Sequence, residues 1–424
     1  MNSASFTTTQ VLVVGGGPAG SSTAWHLAKW GLDVTLVDRA RFPRDKPCAE
    51  YLSPECARIL SSMGALSHIE TAGAAHLTGM LIKTPAGAAI RGEFIAQHGF
   101  RGFRDSGLAL PRIALDAILL NRAREAGVNV VEGAKVESML IDGNNCVGAN
   151  VRIDGAMKEF RAKLVIGADG LRSVVARRLN LAHANRYPRR FAFVAHYHNV
   201  ATITSLGEMH VSKDGYVGLA DVGNGLVNVA LVVPRKRGTI LTETPEQFLS
   251  DWIDAQPELR ERFRNAERVG QVKVTGPFAS HAKVSWSPGA ALVGDAADFF
   301  DPFTGEGIYA ALRGGELLST FANDAVRAAT VARSATALAA YDRERKVTFS
   351  GKWRVEKFIG LSLAFPWLLE RAAIVLQRDR ALADLLVGIA GDFVPPRELL
   401  RLSVIKRLLI AQPKLSSLQH AHRS

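Results

Sequence analysis

Residues 294 to 318, GDAADFFDPFTGEGIYAALRGGELL, set Asp295, Asp298, Asp301 and Glu306 among phenylalanines and glycines just where an apolar helix should begin. Such a stretch is poor core. The apolar run ALV leads to Gly294 and Asp295, while Pro302, Gly305 and Gly307 stand ahead of the helix, so the pattern predicts a strand, a glycine-rich turn and a helix N-terminus. A helix N-terminus presents unpaired backbone N–H groups, which favour a bound anion. A second acidic turn occurs in KLVIGADGLRSVVARRLNL, residues 163 to 181. There a strand leads to Asp169-Gly170, and Arg172, Ser173 and Arg177 follow on a helix.

The elements that must position these groups begin near the N-terminus. VLVVGGGPAGSSTAWHLAKWGLDVTLVD predicts a buried strand, a glycine turn, a helix ending at Gly31 and a second strand ending in Asp38. Gly15 permits the tight turn, Gly17 lets backbone approach a pyrophosphate, and Gly20 allows close helix packing. Asp38 follows at the distance where a carboxylate can accept hydrogen bonds from ribose hydroxyls. The whole unit reads as a dinucleotide site. Arg112, at the start of the amphipathic segment PRIALDAILLNRAREAG, is a further candidate, with Leu115, Ile118 and Leu119 turned to a core.

The three stretches, in this order and at this spacing, resemble the two-domain flavoproteins that include aromatic hydroxylases and geranylgeranyl reductases. The likeness covers residues 10 to about 330. It implies noncovalently bound FAD, with Asp295 holding the flavin chain and Gly305, Glu306 and Gly307 presenting backbone N–H groups to the flavin ring. It also implies that Arg112 lies near the FAD phosphates. The expected fold is α/β: a Rossmann-type FAD-binding domain (8–77, 101–187 and 269–330) interwoven with an antiparallel substrate domain (78–100 and 188–268). A helical region, 331–424, follows. No second GxGxxG follows a strand, so the reductant is expected to be external, NAD(P)H or a reduced electron carrier.

The loop PRDKPCAEYLSPE, 43 to 55, resembles the reductase branch, whose Lys-x-Cys-Gly-Glu segment lies near the active site. Lys46, Cys48 and Glu50 match, and Ala49 replaces the glycine. Cys48 is thus the candidate catalytic residue. Its cationic neighbours Arg44 and Lys46 could lower a thiol pKa, and the alternative is a small packed side chain. DPFTGEGI also resembles that branch more than most hydroxylases. DGYVGLADVGNGLVNVALVV retains Tyr216 but lacks the tryptophan of the prenyl reductases' tunnel segment. His196 and His198 share one face of a predicted strand, with no third ligand at metal-binding spacing. With Lys46, Glu50 and Tyr216 they are candidate pocket residues, and no metal site is expected. The Trp-x-Trp signature of flavin halogenases is absent.

Composition agrees with a globular enzyme. The chain has 424 residues, 47% hydrophobic and 22% charged, and three cysteines without CxxC spacing. The N-terminal MNSASFTTTQ lacks a basic segment and runs into an apolar stretch too short for a signal peptide, which suggests a cytoplasmic protein. The net charge is +12, and residues 341–424 carry 15 Lys/Arg against 8 Asp/Glu. No nucleic-acid module accompanies that excess. FIGLSLAFPWLLERAAIVLQ, broken by Pro366 and Glu370-Arg371, suits either a helix resting peripherally on an anionic membrane or a terminal helical cap. The reading is a FAD-dependent oxidoreductase that saturates a carbon–carbon double bond of an isoprenoid or other hydrophobic lipid. The alternatives are oxygen-dependent hydroxylation of a phenolic or lipid-tailed aromatic, and a non-catalytic flavin or electron carrier.

Overall fold

A computed structural model describes residues 6–97, 99–184, 190–234, 244–278, 280–299, 303, 305–364 and 366–410. Its first sheet grows from the runs VLVV and VTLVD, whose residues are buried throughout, as parallel strands covered on both faces require. Phe6–Val14 pairs in parallel with Val34–Asp38 on one side and Ala156–Gly167 on the other. Asn129–Glu132 and Ala290–Leu292 extend the sheet, also in parallel. The crossover helix Pro18–Lys29 opens on Pro18, whose fixed φ and missing N–H suit a first turn. Across it lies helix Gly307–Arg327. A Cβ on Gly315 would stand 2.8 Å from the Thr23 nitrogen, so the two helices touch backbone to backbone. This contact carries the 305–307 turn onto the 15–20 turn.

The second sheet runs Glu267–Thr275, Arg190–His198, Leu226–Pro234, Gly215–Gly223, Leu206–Ser212, Gly79–Lys83 and Ala89–Glu93. Its pairings are antiparallel except that of Leu206–Ser212 with Gly79–Lys83. The hairpin turns fall at Asp214-Gly215 and at Gly223, Asn224 and Gly225, all three of the latter with positive φ. Strand Glu267–Thr275 belongs to this sheet, so the expected boundary at 268 falls inside it.

The region beyond residue 330 is helical: Val331–Ala364, Pro366–Arg378, Arg380–Ala390 and Leu402–Ile410. It is tied to both sheets. Tyr341, fully buried, donates its hydroxyl to the Leu292 carbonyl at 2.9 Å, and Asp342 accepts from the Ser285 amide and hydroxyl, each at 2.9 Å. Leu382, Ala383 and Val387 pack with Ile90 and Phe94. These helices therefore roof the molecule. Among the described residues no helix is long and apolar enough to cross a membrane. Residues 411–424, included in the expectation of membrane contact, lie outside the described residues, as do the side chains of 361–368.

Candidate functional site

The glycine turn forms a cradle. Gly15 adopts φ +106°, and a Cβ on Gly20 would fall 1.7 Å from the Gly15 carbonyl oxygen, which only glycine permits. Gly17 faces open space bounded by guanidinium groups: a Cβ there would lie 3.4 Å from Arg44 Nη2 and 3.8 Å from Arg112 Nη2. Arg112, expected near phosphate, is buried rather than solvated. Its Nε and Nη2 donate to the two Asp116 oxygens at 2.8 Å, and Arg44 Nη1 lies 2.9 Å from the same carboxylate. Burial disfavours the Arg112 cation, but Asp116 and Cys48 outweigh it and hold the guanidinium charged. Two cations against one anion leave positive charge facing Gly17. Asp38 ends its strand with Oδ2 accepting from the Gly16 amide at 2.6 Å and Oδ1 from the Ala40 amide at 2.8 Å.

The other two acidic turns converge on the same cleft, a cavity of about 210 Å³ lined by Gly17, Lys46, Cys48, Arg112, Asp295 and Gly307 among others. Asp169 Oδ2 accepts from the Val174 amide at 2.6 Å, whereas its buried Oδ1 has no hydrogen-bond partner among the described residues. Desolvation pushes the Asp169 carboxyl up. Gly170, at φ +79°, continues that turn beside the Lys46 ammonium. Gly294 takes φ +62° and brings Asp295 into the cleft. Burial, then Arg112, push the Lys46 ammonium down, with Asp295 opposing. Gly305, at φ +70°, packs on the Tyr51 ring, and Glu306 caps helix Gly307–Arg327. Asp301 and Pro302 lie outside the described residues.

The 43–55 loop is anchored by Glu50, fully buried and held at φ +61°. A non-glycine residue keeps that conformation only when its surroundings over-determine it. Here Oε1 accepts from the Arg112 amide at 2.8 Å, and Oε2 meets His196 Nε2 at 2.7 Å and Asn228 Nδ2 at 2.9 Å. Burial lowers the His196 imidazole, but the Glu50 hydrogen bond and charge outweigh it, and the net shift is upward. Asn228 Nδ2 also donates to the Cys48 carbonyl at 2.9 Å, and the Glu50 amide donates to Cys48 Sγ at 3.3 Å. Glu50 and His196 thus position the loop, while Lys46 and Cys48 line the cleft. Tyr216 lines it too, its ring set edge-on to Phe303 at 4.9 Å. His198 does not join them: it pairs with the Gly225 carbonyl at a hairpin end.

Beside the cleft opens a second cavity of about 910 Å³, walled by the antiparallel sheet (Met80, Ile82, Leu219) and roofed by the C-terminal helices (Val355, Leu376, Leu386). Sequence reasoning offered a terminal helical cap without the cavity beneath it, and it missed four residues that shape the site. Asn228 had a signal, a lone amide inside NVALVV, and so had Asp116, four residues from Arg112 on an apolar helix face. Lys352 and Asp392 had none. Lys352 Nζ lies 3.1 Å from Glu306 Oε2, pairs with Asp392 and stands 4.3 Å over the Tyr309 ring.

The donor set fits a flavin dinucleotide: a cradle that a Cβ would fill, two guanidinium groups facing it, and a buried Asp169 oxygen without a partner among the described residues. The fold and site define a FAD-binding oxidoreductase. The FAD binding domain family matches residues 8–349. A digeranylgeranylglycerophospholipid reductase of Methanosarcina mazei is 30% identical over 331 residues, 76% of each chain. A menaquinone reductase of Mycobacterium tuberculosis is 28% identical over 410 residues, 91% of each. In three dimensions a myxobacterial chondrochloren halogenase superposes with a TM-score of 0.76 at 23% identity, covering 83% of this chain and 82% of its own, a likeness of fold. The chain belongs to the FAD binding domain family, in its geranylgeranyl reductase-like branch.

Proposed function

We propose that the protein reduces carbon–carbon double bonds of an isoprenoid or other lipid. The observation that carries the reading is the apolar cavity of about 910 Å³ opening directly beside the flavin cleft. A non-catalytic carrier has no use for such a chamber, whereas a long hydrocarbon substrate does. The matching Lys46, Cys48 and Glu50 and the curated lipid reductases of similar sequence support the same choice. FAD, once reduced by an external donor, supplies hydride. Arg112, Arg44 and the Gly15–Gly20 cradle would hold its phosphates, Asp38 and Asp295 would hold its sugar and ribityl chain, and the roof would exclude water from the lipid.

Dithionite-reduced holoenzyme mixed anaerobically with a geranylgeranyl lipid tests the reading. Reoxidation of the flavin with a saturated product is the expected result. The rival reading, oxygen-dependent hydroxylation, draws on the missing tunnel tryptophan. Isotopic oxygen from O₂ appearing in an aromatic product, with no anaerobic turnover, would replace the reductase with that alternative.

A further inference from the structure

The cleft and the chamber meet along a short seam. Among the described residues, five line both cavities: Ala49, Met209, Gly218, Gly305 and Glu306. The first four offer a methyl, a thioether or bare backbone. Glu306 alone carries a side-chain proton to give. Saturating an alkene needs two deliveries on adjacent carbons, a hydride from one side and a proton from another group within reach. With a flavin held in the cleft and a hydrocarbon in the chamber, the seam is where both would happen.

We propose that Glu306 is the general acid of the reaction, giving its carboxyl proton to the alkene carbon next to the one that takes hydride, with Lys352 as its positioning residue. The inference rests on the reductase reading above. The two electrons of the hydride, drawn from reduced flavin, make the first C–H bond. The alkene π pair captures the Glu306 proton in the second, leaving oxidised flavin and a Glu306 carboxylate. That carboxylate is not left alone in the apolar seam. Lys352, from the roof helix, stands 3.1 Å from its Oε2 and is itself held by Asp392, so the anion forms beside a fixed cation.

The groups around Glu306 come from every neighbouring element. Lys352 and Asp392 belong to the roof, Tyr309 to the helix Glu306 caps, and Tyr51 to the short strand beneath Gly305, with buried Cys56 behind it. Burial raises the Glu306 carboxyl above its ordinary range and Lys352 only partly pulls it back. The protonated form therefore persists to higher pH than an exposed carboxyl allows. Alkene reduction should fall as pH rises through that elevated pKa.

The test uses FAD-loaded enzyme, anaerobic reoxidation by a geranylgeranyl lipid, and infrared difference spectra of the resting protein across pH. Glu306→Gln should keep FAD, which meets backbone here, and still bleach with dithionite. Its reoxidation should be slower by about 100-fold or more, without the alkaline limb. The wild-type spectrum should hold a protonated-carboxyl C=O band at neutral pH that Glu306→Gln lacks. Should the glutamine variant fail to fold, Glu306→Asp decides, and should move the limb to lower pH. Wild-type rate and pH profile in a folded variant, or an unchanged carboxyl band in Glu306→Gln, overturns the general acid alone. Failure of the wild type itself to reoxidise removes the reductase reading as well.

Discussion

The glycine-turn cleft and the apolar chamber share a wall yet are built on opposite principles. In the cleft, residue identity is dictated atom by atom: Gly20 cannot carry a Cβ, and Glu50 satisfies three partners at once. The chamber asks only for apolar bulk from the right surfaces, and its walls come from segments as distant as Met80 and Leu386. One region should tolerate few substitutions. The other should tolerate many and change its substrate when it does.

The largest expected effect lies in the cradle. Gly20→Ala forces a methyl to within 1.7 Å of the Gly15 oxygen, and should cost about 3 kcal/mol and strip FAD on gel filtration. A stable yellow Gly20→Ala protein would break the contrast. Glu50→Gln should cost about 3 kcal/mol where His196 is charged, since it unpairs a buried partner. The His196 pKa is raised in the folded state, so this stabilisation is complete below the unfolded value of about 6.5 and is lost as pH rises through the folded one. Thermal melts of both proteins should thus differ most at acid pH and converge on the alkaline side.

In the chamber, Ala372→Phe adds a ring to a wall that is only half-buried. Stability and FAD should hold, while turnover of a twenty-carbon prenyl lipid drops roughly tenfold, about 1.4 kcal/mol, and a ten-carbon one is spared. Equal losses for both lengths would mean that the chamber does not hold the chain. The smallest effect concerns the roof's outer face. If its basic residues touch membrane, one of the two readings open from the sequence, each should add about 1 kcal/mol of attraction to anionic vesicles. Pelleting with such liposomes at low salt, lost at high salt, is the expected result, and equal recovery without them would leave the roof a cap only.

The same contrast explains what the sequence disclosed. Gly15, Gly17, Gly20, Asp169 and Asp295 were legible because a strand, a turn and a charge must follow one another within a few residues. Lys352 was not, because its partners Glu306 and Asp392 stand 46 and 40 positions away and nothing local in SGKWRVEK marks a buried ammonium. The basic, apolar tail left a membrane-resting helix and a packed cap both open, and the fold turns Val355, Leu376 and Leu386 inward over the chamber. Hydrophobic pattern shows that a face is covered, not what covers it. His198 shows the converse: its strand face was read correctly, but the cleft is lined by Ala192 and Val194 earlier in that strand, while His198 at its end pairs with the Gly225 carbonyl.

The parallel pairing of Leu206–Ser212 with Gly79–Lys83 bears on how the chain is made. Leu206 lies opposite Gly79, and four of the eight strands of the first sheet, from Asn129 to Gly167, are synthesised between them. The substrate sheet therefore cannot be completed on the ribosome until that material has emerged and folded back. Until then Gly79–Lys83 and Ala89–Glu93 wait as a two-stranded hairpin, too small to be stable alone. Contacts of such long sequence separation slow folding, so the nascent protein passes through a period with an open strand edge. It is during synthesis, rather than after it, that this molecule is most exposed to aggregation.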